Sequence, residues 1–283
     1  MPGSNILQTL GIGYACKKGV KAAPNQDDFC ILVDGDTTIL GVFDGHGLFG
    51  HFCSYTIQQL MPKLLYSHPA FKTNLELALK QTFLKLDEAL RGITQQDGKF
   101  SALLSGTTAS VVVYRDKTLY ISHVGDSRVV LGRKDKDKIK AVPLSRDHCP
   151  ELDDEKERVE KSNGEVRRQD PSGPPRVFGL GANYPGLAMS RAIGDEIAKS
   201  YGVIADPEVK CLKIESDDLF VTLSSDGVWE FLSNEKVITD IYKQDRSKVH
   251  NAAALVAENA FNAWLANEGH TTDDITCLIF YFN

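Results

Sequence analysis

The apolar run Ile39-Leu40-Gly41-Val42-Phe43 stops at Asp44-Gly45-His46-Gly47. A short continuous apolar run suits a buried strand. The flanking glycines let the backbone turn tightly and approach a ligand with no Cβ in the way. Asp44 is thereby presented at a strand end, beside a bare carbonyl and near an imidazole. A carboxylate with an accessible carbonyl is hard-oxygen coordination, which suits Mg²⁺ or Mn²⁺ better than zinc. Alone, Asp-Gly is equally the commonest hairpin dipeptide, but the same grammar recurs. Asp27 and Asp28 precede an apolar strand, Asp226 follows one, and Asp273 and Asp274 precede the last. In an antiparallel sheet the end of one strand and the start of its neighbour share an edge, so these acids can converge on one rim. Carboxylates gathered there repel one another unless cations compensate. Such a set suits two hard divalent ions about 3.5–4 Å apart, which activate a water and clamp a phosphoryl oxygen. That is the chemistry of phosphoester hydrolysis.

Composition narrows the alternatives. The 283 residues are 42% apolar and 25% charged, ordinary for a globular chain with a sizeable core. A net charge of −6 without a compensating Lys/Arg cluster argues against a nucleic-acid partner. The densest basic stretch, residues 133–138, alternates sign and reads as a solvated hairpin loop. Six cysteines form no C-x-x-C pair, so free thiols in a reducing compartment are expected, with the chain in cytoplasm or nucleus. No run approaches a membrane span and no leader pattern opens the chain.

Periodicity predicts an outer strand over residues 6–16, strands over 29–33 and 39–43, and a helix after Gly50 with Phe52, Tyr55, Ile57, Leu60 and Leu64 on its apolar face. Thr73-x-x-Glu76 reads as a capping box for a second helix running to Gly92. A three-strand meander is expected over 107–132, a surface helix over 151–161, and a Pro/Gly-rich flap over 169–186. A strand over 219–223, helices after Ser233 and over 247–267, and a final strand over 275–282 complete the reading. Strand runs broken by blocks of two helices predict sheet packed on sheet between helical layers, as one domain over residues 1–283.

The ordered motifs resemble those of the type 2C metal-dependent protein serine/threonine phosphatases over nearly the whole chain. They are Asn25-Gln26-Asp27-Asp28, Phe43-Asp44-Gly45-His46-Gly47, Ser105-Gly106-Thr107-Thr108-Ala109, Val124-Gly125-Asp126-Ser127-Arg128, Asp147-His148, Ser190–Asp195, Ser225–Glu230 and Asp273–Thr276. The resemblance implies an α+β fold, a four-layer α-β-β-α sandwich whose two central antiparallel sheets are flanked by helix pairs, with a two-metal site at one end. Two Mn²⁺ or Mg²⁺ ions are implied, with Asp44 bridging them, the Gly45 carbonyl on one, Asp226 and Asp273 on the other, and Asp27 orienting bound waters. Asp126 matches the acid holding a weaker third ion, and His46 the general acid that protonates the departing alkoxide. Gln26 and Asp274 fall behind the metal ligands, and residues 148–195 match the variable flap. The implied activity is hydrolysis of phosphoserine and phosphothreonine in proteins by direct attack of a metal-bridging water. The implied partners are phosphorylated proteins, and a monomer is expected.

Four positions depart from the family pattern, one of them Cys149, which replaces a common Lys after Asp147-His148 without a consequence for the chemistry. Gln26 replaces a common Glu, Asp274 replaces a common Asn, and Ala22 stands where a phosphate-binding Arg is common. Lys21 or Lys18 is left to supply that charge, as a point charge without Arg's bidentate fork. A member that binds phosphoproteins as a scaffold without turning them over is the alternative; retention of Asp44, Asp226 and Asp273 weighs against it.

Overall fold

Continuous β-branched and apolar runs produce strands with two apolar faces, and such strands need cover on both sides. The computed structural model describes residues 2–171 and 173–282. The chain opens with α1 (Pro2–Thr9), β1 (Ile12–Lys17), β2 (Asp27–Asp34), β3 (Thr37–His46), α2 (Gly50–Tyr66) and α3 (Leu75–Asp97). Then come β4 (Gly106–Thr107), β5 (Ala109–Arg115), β6 (Thr118–Val124), β7 (Arg128–Asp135) and β8 (Lys138–Pro143). The flap region holds α4 (Asp153–Lys161), β9 (Gly164–Arg168), β10 (Pro175–Gly179), β11 (Pro185–Leu187), β12 (Ile193–Gly194) and α5 (Glu196–Lys199). The chain closes with β13 (Glu208–Lys213), β14 (Asp218–Ser224), α6 (Asp226–Trp229), α7 (Asn234–Tyr242), α8 (Val249–Glu268) and β15 (Ile275–Tyr281).

One antiparallel sheet runs β1-β15-β14-β7-β8; the other runs β12-β4-β3-β5-β6-β13, with β2 also paired to β3. Period-two alternation sorts their side chains into three apolar layers. Ile39 and Phe43 of β3, with Val111 and Val113 of β5, pack under Leu79, Phe83, Leu86 and Leu90 of α3. Leu40, Val42 and Val112 face the other way, onto Leu131, Val221 and Leu278 of the second sheet. Ile275, Cys277 and Ile279 of β15 meet Val237, Ile241, Ala253 and Val256 of α7 and α8. Helix, sheet, sheet and helix therefore stack as the family resemblance implied.

Several local expectations are corrected. Residues 6–9 belong to α1, and the outer strand begins only at Ile12, after Gly11 turns the chain at φ +72°. The buried face of α2 is Cys53, Ser54, Ile57, Met61 and Leu65, whereas Phe52 and Tyr55 are exposed. The cap of α3 is Asn74, whose side chain accepts from the Leu77 N–H at 3.0 Å, rather than Thr73. The expected meander divides: β5 and β6 form a hairpin, but residues 125–127 carry the chain into the other sheet, where β7 pairs with β14. β3 continues through Asp44 to His46, so Asp44 lies within a strand and not after it.

The Pro/Gly-rich region has more order than its sequence suggests. β11-β10-β9 form a small antiparallel sheet, and Val159, Val177, Met189, Ala192, Ala198 and Val203 make its own apolar core. Fully buried Glu155 ties it down, with Arg158 Nη2 and Arg191 Nη2 each 2.5 Å from its carboxylate and Ser190 donating to it. Removing one member of a buried ion network leaves the others uncompensated, at a cost of about 3–5 kcal/mol. Glu155→Ala is expected to speed hydrogen exchange across residues 164–179 while β3 and β15 stay protected. Unchanged exchange in the flap would show that Glu155 does not anchor it.

Candidate metal centre and active site

Strand register brings the predicted acids together. Asp27 and Asp44 are direct partners across the antiparallel β2–β3 pair. Asp226 opens α6 just past β14, and Asp273 and Asp274 precede β15, the neighbour of β14. Ser225 joins the sheets: its Oγ donates to Asp27 Oδ2 at 2.7 Å and accepts from the Thr276 N–H at 3.0 Å. Asp126 sits in the crossover from β6 to β7, and its buried carboxyl adds to the charge around Asp226. Asp226 is the neighbouring acid whose charge most strongly disfavours ionisation of Asp44.

The backbone here tolerates no side chain. A Cβ on Gly45 would lie 2.3 Å from the Gly50 carbonyl oxygen, and one on Gly47, at φ +80°, would lie 2.2 Å from that of Leu104. Gly45 N–H donates to the Gln26 carbonyl at 3.0 Å, and Gln26 Nε2 donates to the Gly47 carbonyl at 2.7 Å.

The rim fits a hard divalent cation. Asp27 Oδ1, Asp126 Oδ1 and Asp226 Oδ1 are buried with no hydrogen-bond partner among the described residues. Orphaned buried carboxylate oxygens are costly unless something positive meets them. Burial raises the Asp27 carboxyl to about 7 despite the Ser225 hydrogen bond. Burial, then repulsion from Asp147, raises Asp126 to about 6. Asp44 and Asp226 are pushed well above the carboxylate range by burial, then by neighbouring acids: Asp226 and Asp27 for Asp44, Asp126 and Asp273 for Asp226. Acids holding protons this tightly are the electrostatic signature of a site completed by cations.

The loop before β2 is sewn to the loop before β15. Asp274 accepts from the backbone N–H of Gly19 and of Gln26, both at 2.8 Å. Lys21 Nζ lies 2.7 Å from Asp273 Oδ1 and 2.8 Å from Asp274 Oδ2. These contacts outweigh burial and raise the Lys21 pKa, so its ammonium is held against the acids.

His46 leaves β3 with Nε2 2.6 Å from Asp195 Oδ2. Burial disfavours the imidazolium, but the Asp195 carboxylate overrides it and holds the His46 pKa above its ordinary value. Nδ1 has no protein partner among the described residues.

A profile for the family Protein phosphatase 2C matches residues 20–270. The chain belongs to that family. It is 34% identical over 278 residues to Probable protein phosphatase 2C 35 of Arabidopsis thaliana, covering 90% of this chain and 78% of that one. It is 36% identical over 293 residues to Probable protein phosphatase 2C 72 of the same plant, covering 95% and 85%. The crystal structure of serine-threonine phosphatase 2C from Toxoplasma gondii superposes with a TM-score of 0.85 at 23% identity, covering 96% of this chain and 94% of that one. At that identity the structural likeness speaks for the fold.

Two features of this phosphatase 2C chain escaped the sequence reading. Asp195 was visible only as the end of a motif, and nothing in the spacing tied it to His46, 149 positions away. A second cluster joins His123, His148 and Glu208, whose ligand atoms lie within 4.8 Å of one another. Its protons argue against a cation there. His148 Nδ1 accepts from the Gly125 N–H at 3.0 Å, so its own proton sits on Nε2, facing Glu208. Arg146 and Arg191 already crowd the Glu208 carboxylate.

Because Asp27 holds its proton up to about pH 7 when folded and to about 3.9 unfolded, the metal-free fold binds the extra proton between those values. Its contribution to stability is complete at low pH and is lost as pH rises through about 7. Cations must displace these protons, so millimolar Mn²⁺ is expected to raise Tm more at pH 7.5 than at pH 5.5, with proton release on binding. An equal gain at both pH values would contradict this electrostatic account.

Proposed function

We propose that this protein phosphatase hydrolyses phosphoserine and phosphothreonine in proteins, as a monomer, with two Mn²⁺ or Mg²⁺ ions at the carboxylate rim and a weaker third near Asp126. The observation that carries this reading is the set of buried carboxylate oxygens without partners on Asp27, Asp126 and Asp226, beside Asp44. Bound there, the ions would neutralise the phosphoryl oxygens and activate the attacking water. Asp44 and the Gly45 carbonyl would hold one side, Asp226 and Asp273 the other. Asp27 is oriented by Ser225 to work through bound water. Direct attack by water leaves no phosphoenzyme. Retention of Asp44, Asp226 and Asp273 weighs against a scaffold without activity.

The chain's own proton donor is His46. Asp195 fixes Nε2 and favours the charged ring over the neutral one, which leaves Nδ1 to deliver a proton to the serine or threonine oxygen as it departs. Lys21, proposed for phosphate binding, is engaged by Asp273 and Asp274, so its charge reaches the phosphoryl group from behind those acids.

Asp44→Ala and Asp226→Ala are each expected to abolish Mn²⁺-dependent release of phosphate from a phosphothreonine peptide; full activity would sink the assignment. His46→Gln is expected to lower kcat on that peptide about 10²–10⁴-fold. The loss should be far smaller on p-nitrophenyl phosphate, whose leaving group departs without a proton. Equal losses on both would remove His46 from the proton-donor role.

A further inference from the structure

The rim beside His46 is apolar and open. Leu48, on the turn after Gly47, is 78% exposed; Leu103 and Leu104, on the loop before β4, are 50% and 51% exposed. Phe52 and Tyr55, on the outward face of α2, are also exposed, and Phe52 stacks on Phe100 at 5.3 Å. Exposed apolar residues scattered singly need no explanation, but a contiguous group marks a contact surface. The two loops lie against each other, since Gly47 abuts the Leu104 carbonyl and the Phe49 N–H donates to Ser105 Oγ at 3.0 Å.

These side chains stand on a rigid base wired to the proton donor. The Gly47 carbonyl is held by Gln26, and the Ala102 and Leu103 carbonyls accept from the Glu196 and Ile197 N–H groups at 3.0 and 3.1 Å. The Ser105 carbonyl accepts from the Asp195 N–H at 3.0 Å, and Asp195 holds His46. A rigid apolar anchor loses little entropy on binding.

We propose that Leu48, Leu103 and Leu104, with Phe52, form a docking surface for apolar side chains flanking the phosphorylated residue of the substrate. The inference rests on the phosphatase function above. A residue whose oxygen is protonated by His46 must enter beside this rim, so its chain neighbours cross the leucines. The occupant is therefore the substrate segment itself, because Leu48 lies two residues past His46 in the chain and Leu104 abuts Gly47.

The test uses two phosphothreonine peptides that differ only in carrying leucines or serines on both sides of the phosphothreonine, with p-nitrophenyl phosphate as the third substrate. Wild type is expected to prefer the leucine peptide about tenfold in kcat/KM, the effect of partly burying one leucine. Leu48→Ser/Leu104→Ser should erase that preference through KM, and Leu48→Met should keep it. Equal use of both peptides by wild type would overturn the proposal. So would a parallel loss on peptides and p-nitrophenyl phosphate in the serine variant, which marks a structural role. No Mn²⁺-dependent turnover of p-nitrophenyl phosphate by wild type would overturn the phosphatase reading itself.

Discussion

Carboxylates crowded out of water are the constraint on which the rest of this structure depends. Asp27 and Asp44 face each other across one antiparallel register, and Asp226 reaches them from the opposite sheet. Burial and mutual repulsion both oppose their ionisation. A chain holds such a group together only with a stiff frame around it and something positive at its centre. Two sheets sealed by three apolar layers supply the frame. Ser225 links the sheets where the acids meet, and Asp274 fastens the loop before β2 to the loop before β15.

Around that centre the chain divides its labour. Lys21 holds Asp273 and Asp274 from the loop side. Asp195, brought in from the end of the flap region, orients His46 and favours its charged form. The flap has its own small core and its own buried ion network at Glu155. The cleft between flap and body runs past Pro174, Pro175 and Arg176 to Asp126 and Asp226. The apolar rim at Leu48 begins two residues past His46 in the chain.

Much of this was legible in the residues because the strongest signals are local. Apolar runs ending in acids mark strand ends at a rim, and the eight ordered motifs narrowed the fold to one architecture. What stayed hidden depends on distant pairing. Nothing local in Val124-Gly125-Asp126-Ser127-Arg128 says that the chain leaves one sheet for the other, because that choice is made by β14 pairing with β7. The short strands β9–β11 were masked by prolines and glycines, whose turns connect them, and β13 is a charged edge strand without an apolar run. Asp195 was hidden for the same reason: a hydrogen bond across 149 positions has no period. The ion pairs of Lys21 with Asp273 and Asp274, both within 3 Å, were equally invisible across some 250 positions of sequence.

The central claim is that this rim holds a pair of hard cations between Asp44 and its neighbours. Electron paramagnetic resonance of the protein titrated with Mn²⁺ tests it most directly, because two ions sharing a bridging carboxylate are exchange-coupled. The account predicts two tightly bound Mn²⁺ per chain and a coupled spectrum that collapses in Asp44→Asn. A single site giving the six-line spectrum of an isolated ion would contradict it.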